Sequence, residues 1–172
     1  MPAKDHRRSR KAFILRFFAL LALVYGIIAI PWTERTVIVP FTRAITFVSG
    51  MALNGIGQHV RTTDTVVGDS SFAVSILNGC NGVEATMFLI AAILAFPAAW
   101  PLRAWGLAIG FALVQLLNLL RIVTLFLLGR YQPQAFEFFH LAVWQTVIAA
   151  TTIFFFLRWC ENARRADGAH AA

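Results

Sequence analysis

Residues 104–129 read AWGLAIGFALVQLLNLLRIVTLFLLG, an apolar run whose only ionisable side chain is Arg121. At ~1.5 Å of rise per residue, a helix of this length crosses the ~30 Å hydrocarbon core of a bilayer. Tyr131-Gln-Pro133 closes it. Similar runs lie on either side, at 82–100 up to the Pro97/Pro101 break and at 138–159 before Arg164 and Arg165. A further run at 12–32 follows a basic tail (residues 1–11) holding Lys4, Arg7, Arg8, Arg10 and Lys11. It is long and has no small-x-small site before Pro31 and Trp32, so it reads as an uncleaved span rather than a signal peptide.

Composition agrees with four spans. Of 172 residues, 59% are hydrophobic and 13% charged, whereas soluble domains carry about a quarter charged residues. One core of this size cannot hide so much apolar surface. An ordinary soluble enzyme, a disordered chain and a secreted disulfide scaffold are excluded. The expected fold is a single-domain, all-α polytopic membrane protein with about four transmembrane helices. The formal charge of +7 sits largely at the chain ends, where it sets topology. No basic stripe is interleaved with aromatics, so nucleic acid is not an expected partner; membrane lipid is. The oligomeric state is not written in the sequence.

Positive charge gives the direction. With the N-terminus inside, Lys4, Arg7, Arg8, Arg10, Lys11, Arg16, Arg103, Arg158, Arg164 and Arg165 are cytoplasmic, and Arg35, Arg43, Arg61 and Arg130 lie outside. The tail at 160–172 is then cytoplasmic too, and the loop at 33–79 is external. In that loop Phe41, Ile45, Val48, Met51 and Leu53 recur at near-helical spacing, which predicts an amphipathic helix on the outer surface. Val60, Thr62 and Thr65-Val-Val, then Phe72-Ala-Val-Ser-Ile, predict a small β-hairpin around Gly68-Asp-Ser-Ser71.

Ionisable groups are expensive in a membrane, and each one there is a candidate for function. Cys80 stands in Asn78-Gly-Cys-Asn81-Gly-Val-Glu84, at the outer mouth of the second span. A thiol at a helix N-terminus feels the positive end of the helix dipole, which favours thiolate; a small buried hydrophobe is the other reading of a lone Cys. A disulfide to Cys160 would bridge opposite ends of the membrane, beyond the ~7 Å Cα reach of such a bond. Two cysteines without a His-x-x-x-His pair also give no metal site, and no cofactor is implied.

Arg121 lies roughly 12 Å deep by helical rise, with Asn118 three residues earlier placed to help hold its guanidinium. Glu84 supplies a possible counter-charge. A structural Glu84–Arg121 pair, in a non-enzymatic membrane assembly protein or a small transporter, therefore competes with catalysis. His140 begins the fourth span, with Glu137 either orienting its ring or solvated. Cysteine, histidine and arginine at one level supply a nucleophile, a proton carrier and an oxyanion stabiliser. Together they point to acyl transfer on a peptide at the outer membrane surface.

Four stretches, Asn78-Gly-Cys-Asn-Gly-Val-Glu-Ala85, Phe96-Pro-Ala-Ala-Trp100, Gln115-Leu-Leu-Asn-Leu-Leu-Arg-Ile122 and Phe136-Glu-Phe-Phe-His140 with Trp144, carry a resemblance. The sequence resembles the exosortase/archaeosortase family of membrane transpeptidases, and looks most like its small exosortase H branch. The resemblance implies a bacterial inner-membrane enzyme with its active site facing outward. By that likeness Cys80 is the nucleophile, Arg121 the transition-state stabiliser and His140 the general acid/base; Asn81, Glu84, Asn118 and Glu137 are the candidate supporting residues around them. The implied partners are exported proteins ending in a C-terminal sorting tail: a short motif, a hydrophobic helix and a basic cluster. The implied cycle is thiol protease or transpeptidase chemistry through a thioester.

Overall fold

The computed structural model describes residues 2–170, with side chains described for residues 11–166. Residues 1, 171 and 172, and the side chains of Lys4, His6, Arg7, Arg8, Arg10 and His170, lie outside that description. Helix α1 (Pro2–Ile28) contains an apolar stretch at Lys11–Ile28. After a two-residue break, α2 runs over Pro31–Gly55, widening into a π-turn at Glu34–Ile38. Strands β1 (Arg61–Thr63), β2 (Val66–Gly68) and β3 (Ala73–Ser75) follow. Then come α3 (Val83–Ala95), α4 (Trp100–Tyr131) and α5, a helix over 133–170 with a π-turn at Phe139–Val143.

Among the described residues four helices are long and apolar enough to cross a membrane: α1, α2, α4 and α5. The chain is an all-α polytopic membrane protein with a small sheet. By length and composition α2, read from the sequence as part of the outer loop, qualifies, and the helix within 82–100 does not. The run read at 82–100 holds only the 13-residue helix α3, about 20 Å long. It stops at Ala95 because Phe96 precedes Pro97, and the residue before proline is pushed into extended backbone; Phe96 has φ −76° and ψ 134°. Pro101 then falls in the first turn of α4, where its missing N–H costs nothing.

α2 corrects the reading of the loop. Of Phe41, Ile45, Val48, Met51 and Leu53, whose spacing predicts this helix, only Leu53 is buried, and Val48 and Met51 are exposed. The buried stripe is instead Thr42, Thr46, Ser49, Gly50 and Leu53. Thr42, Thr46 and Ser49 each donate back to the carbonyl four residues earlier at 2.8 Å. Polar and small residues thus face the protein while Phe47, Val48 and Met51 face out, the arrangement suited to apolar surroundings. The hairpin is also a three-stranded antiparallel meander, β1-β2-β3, with Thr63 opposite Val66 and Val67 opposite Val74. The extra turn at Asp64-Thr65 is tight, with Asp64 at φ 55°.

Two apolar clusters bracket the middle of α4. One joins Leu89, Ile93 and Phe96 to Val114 and to Trp159, Cys160 and Ala163 of α5, with Phe13 of α1 against it. The basic side chains Arg103 and Arg164 gather at this end, where Arg103 donates to Phe96 O at 3.1 Å and Arg164 stands 5.6 Å from the Phe96 ring centre. The other cluster joins Leu53, Val60, Val67 and Ile76 to Ile122 and Phe126. The small residues Ala91, Ala92, Ala95, Gly106 and Gly110 are buried in this protein's own helix packing. Between the clusters, α4 presents Gln115, Asn118 and Arg121.

Candidate active site

Cys80 sits on the segment joining β3 to α3. The segment bends twice through left-handed backbone, at Gly79 (φ 85°) and Gly82 (φ 75°), conformations that glycine adopts without a Cβ penalty. Gly82 caps α3, and the Cys80 N–H closes a turn onto Leu77 O at 2.9 Å. Asn81, 1% exposed, staples the bend. Its amide donates to Thr42 Oγ1 at 3.0 Å and to Asn78 Oδ1 at 3.3 Å, and its oxygen accepts from Val83 N–H at 3.1 Å. Asn78 in turn donates to Glu34 Oε1 at 2.9 Å. Two side chains of α2 therefore hold the thiol's loop, and reading that helix as an outer-surface element missed both. No local signal reveals a partner thirty-nine residues away.

The three residues expected to act together lie together. Cys80 Sγ is 3.3 Å from His140 Nε2, a separation at which a thiol donates to the neutral ring or a protonated ring donates to sulfur. Arg121 Nη2 points at the same sulfur from 3.6 Å, and Nη1 donates to Gly79 O at 3.1 Å. His140 sits in the π-turn of α5, and Phe136, one turn earlier, lies 5.7 Å from it between ring centres. Phe72, from the turn before β3, touches Phe136 at 6.5 Å and Phe126 at 5.6 Å, linking the sheet to the imidazole. The i, i+4 spacing of Phe136 and His140 is the signal that could have found the first of these contacts.

Glu84 and Asn118 are placed differently from expectation, and Glu137 takes the solvated alternative. The described ion pairs are Arg43–Asp64, Arg130–Asp69 and Arg158–Glu161, so Glu84 and Arg121 do not form the pair that the non-enzymatic reading requires. Glu84 is exposed, and it and Arg121 line the same cavity without meeting. Asn118 is fully buried with neither amide atom hydrogen-bonded, so it does not hold the guanidinium; Arg121 Nε also lacks a partner. Glu137 is exposed and makes no hydrogen bond to His140 among the described residues.

Arg121 is thus 5% exposed and has no carboxylate partner among the described residues. A buried charge without a counter-ion is costly, and its two terminal nitrogens are spent on a carbonyl and a thiol. Beside it opens a cavity of about 210 Å³ between α3 and α5, lined by Gly79, Glu84, Ala85, Phe88, Arg121 and Ile148 among others. A thiol and an imidazole therefore meet the Arg121 guanidinium, which itself lines a mainly apolar inter-helix cleft.

A family model described as transmembrane exosortase (Exosortase_EpsH) matches residues 7–157. No curated protein and no solved structure matches the chain.

Proposed function

The chain belongs to the transmembrane exosortase family, and from that premise we propose that it is a cysteine peptidase or transpeptidase that removes the C-terminal sorting tail of exported proteins. One observation carries the reading: Cys80 Sγ lies 3.3 Å from His140 Nε2 and 3.6 Å from Arg121 Nη2.

The steps follow from that geometry. His140 Nε2 takes the thiol proton as Cys80 Sγ attacks the scissile carbonyl carbon. Negative charge moves to the carbonyl oxygen, where the Arg121 guanidinium meets it. A single well-placed donor of this kind contributes about 3–4 kcal/mol. The Cys80 N–H is turned toward Leu77 O, which leaves Arg121 as the donor beside the sulfur. The tetrahedral intermediate then collapses, the C–N bond breaks, and His140 returns its proton to the leaving amine. The thioester passes the exported protein to an amine, or to water, as His140 removes a proton from the acceptor.

The distribution of positive charge supports an outward-facing site. The basic side chains Arg103 and Arg164 lie at the end of the bundle away from Cys80, and positive residues mark the cytoplasmic side. We therefore orient both termini inward, in a bacterial inner membrane, with α1, α3, α4 and α5 carrying the chain across, α2 kept on the outer side, and the thiol facing out. The test is co-expression with an exported protein of the same genome that carries a motif–helix–basic tail. Wild type removes the tail and Cys80→Ser, at matched abundance, does not; equal removal by both overturns the mechanism.

A further inference from the structure

Strand β3 leads into the thiol and has one open edge. The sheet order is β1-β2-β3, so β3 pairs on one side only. Its ladder has a fixed parity: Ile76 N–H donates to Thr65 O at 2.8 Å, and Asp69 N–H donates to Phe72 O at 3.0 Å. In an antiparallel pair, hydrogen-bonding residues alternate with residues that turn their backbone groups away. Phe72, Val74 and Ile76 thus face β2, and Ala73 and Ser75 turn their N–H and C=O groups to the open side. Both are exposed, and none of these four groups has a partner among the described residues.

An unpaired edge of backbone donors and acceptors matches the backbone of another extended chain and is indifferent to that chain's side chains. The strand also leads along the chain to the reaction centre. Ser75 is five residues from Cys80, so at most ~17 Å separates them, a distance that a strand of about five residues covers. Beyond Cys80 lies the mainly apolar cleft between α3 and α5, with Ala85, Phe88 and Ile148 on its walls.

We propose that the substrate segment preceding the scissile bond adds to the edge of β3 as a fourth strand, paired through the backbone of Ala73 and Ser75, which delivers its last carbonyl to Cys80. The proposal rests on the acyl-transfer reading and adds the recognition mode to it. Main-chain pairing supplies register and affinity, and sequence choice is left to side chains that fall beside the Cys80 loop. The apolar helix that follows the scissile bond enters the cleft.

The test is amide hydrogen exchange on the full chain in lipid nanodiscs, as Cys80→Ser to prevent turnover. The probe is a synthetic sorting tail from an exported protein of the same genome, retaining its extended segment, apolar helix and basic cluster. Adding the probe is expected to slow exchange at Ala73 and Ser75 at least tenfold. Unchanged exchange at both overturns the proposal, as does slowing that needs no probe and grows with protein concentration, which would mean a second copy on the edge. Cutting of the same probe by wild type is followed in parallel. Slowed exchange without cutting keeps the strand pairing and removes acyl transfer; cutting without slowed exchange does the reverse. Ser75→Pro deletes one outward N–H without touching the β2 ladder. It is expected to raise KM about tenfold with kcat held, the effect of one lost hydrogen bond, and an unchanged KM also overturns the proposal.

Discussion

Gly129 offers a way to disturb the imidazole from a distance. A methyl group added there would overlap the Phe72 ring. That ring is held between Phe126 at 5.6 Å and Phe136 at 6.5 Å, so it cannot move without pressing on one of them, and Phe136 rests against His140 at 5.7 Å. Overpacking of this kind costs about 1–3 kcal/mol, while glycine-to-alanine in a helix returns about 1 kcal/mol. Gly129→Ala should therefore be destabilised by up to ~2 kcal/mol. Tail removal should fall further, because a ~1 Å misplacement of a reacting group costs about 10²-fold. Gly26→Ala is the control, since nothing lies within 4 Å of a methyl group there; it should be neutral or slightly stabilised. Thermal unfolding in detergent and the initial rate of tail removal are the assays. Phe72→Leu in the Gly129→Ala background should recover part of both losses. If Gly129→Ala behaves like Gly26→Ala in both assays, the aromatic link from sheet to His140 does not position the ring.

Three further outcomes follow from the geometry. Arg121→Lys keeps a positive charge but loses the fork that reaches Gly79 O and Cys80 Sγ together. Tail removal should drop about 10²–10³-fold at unchanged abundance, and a parallel loss of abundance would point to a structural role instead. Thr42→Val removes the acceptor of Asn81 at a cost of about 1–2 kcal/mol. Alkylation of Cys80 by a maleimide should then speed up as its loop loosens, and an unchanged rate would contradict the stapling role. The Ser71 hydroxyl, then the N–H groups of Ser71 and Phe72, hold the Asp69 carboxyl well below the usual carboxylate range; burial opposes them, and Arg130 adds a lesser lowering. Its folded value lies below its unfolded value of about 3.9, so its contribution is complete above that value and is lost as pH falls below it. Melting curves between pH 7 and 3 should show an acid limb that is shallower in Asp69→Asn; an identical limb refutes the assignment.

The membrane class and the site's centre were legible because a bilayer makes polarity conspicuous. Arg121 is the one charge within 104–129, and Cys80 stands between two glycines at the start of an apolar run. The protein-facing stripe of α2 was not legible, because the sequence reading followed its apolar residues, and the stripe that packs on the protein is Thr42, Thr46, Ser49 and Gly50. With apolar surroundings the large side chains Phe47 and Met51 turn outward, and Thr42 and Ser49 find partners within. The β1–β2 turn was missed because Asp64-Thr65 lacks the glycine that usually announces a two-residue hairpin. The end of α3 at Ala95 was readable from Pro97, had the pre-proline restriction been applied to Phe96. The missing Glu84–Arg121 pair was beyond sequence reasoning, since opposite charges on neighbouring helices give no side-chain direction.

The most direct measurement of the central claim is interception of the thioester. Hydroxylamine is added while wild type processes a sorting-tail protein, and the released protein is weighed by intact mass. The account predicts a C-terminal hydroxamate with wild type and no release with Cys80→Ser. Release as the free acid alone at saturating hydroxylamine, or equal release by Cys80→Ser, would contradict it.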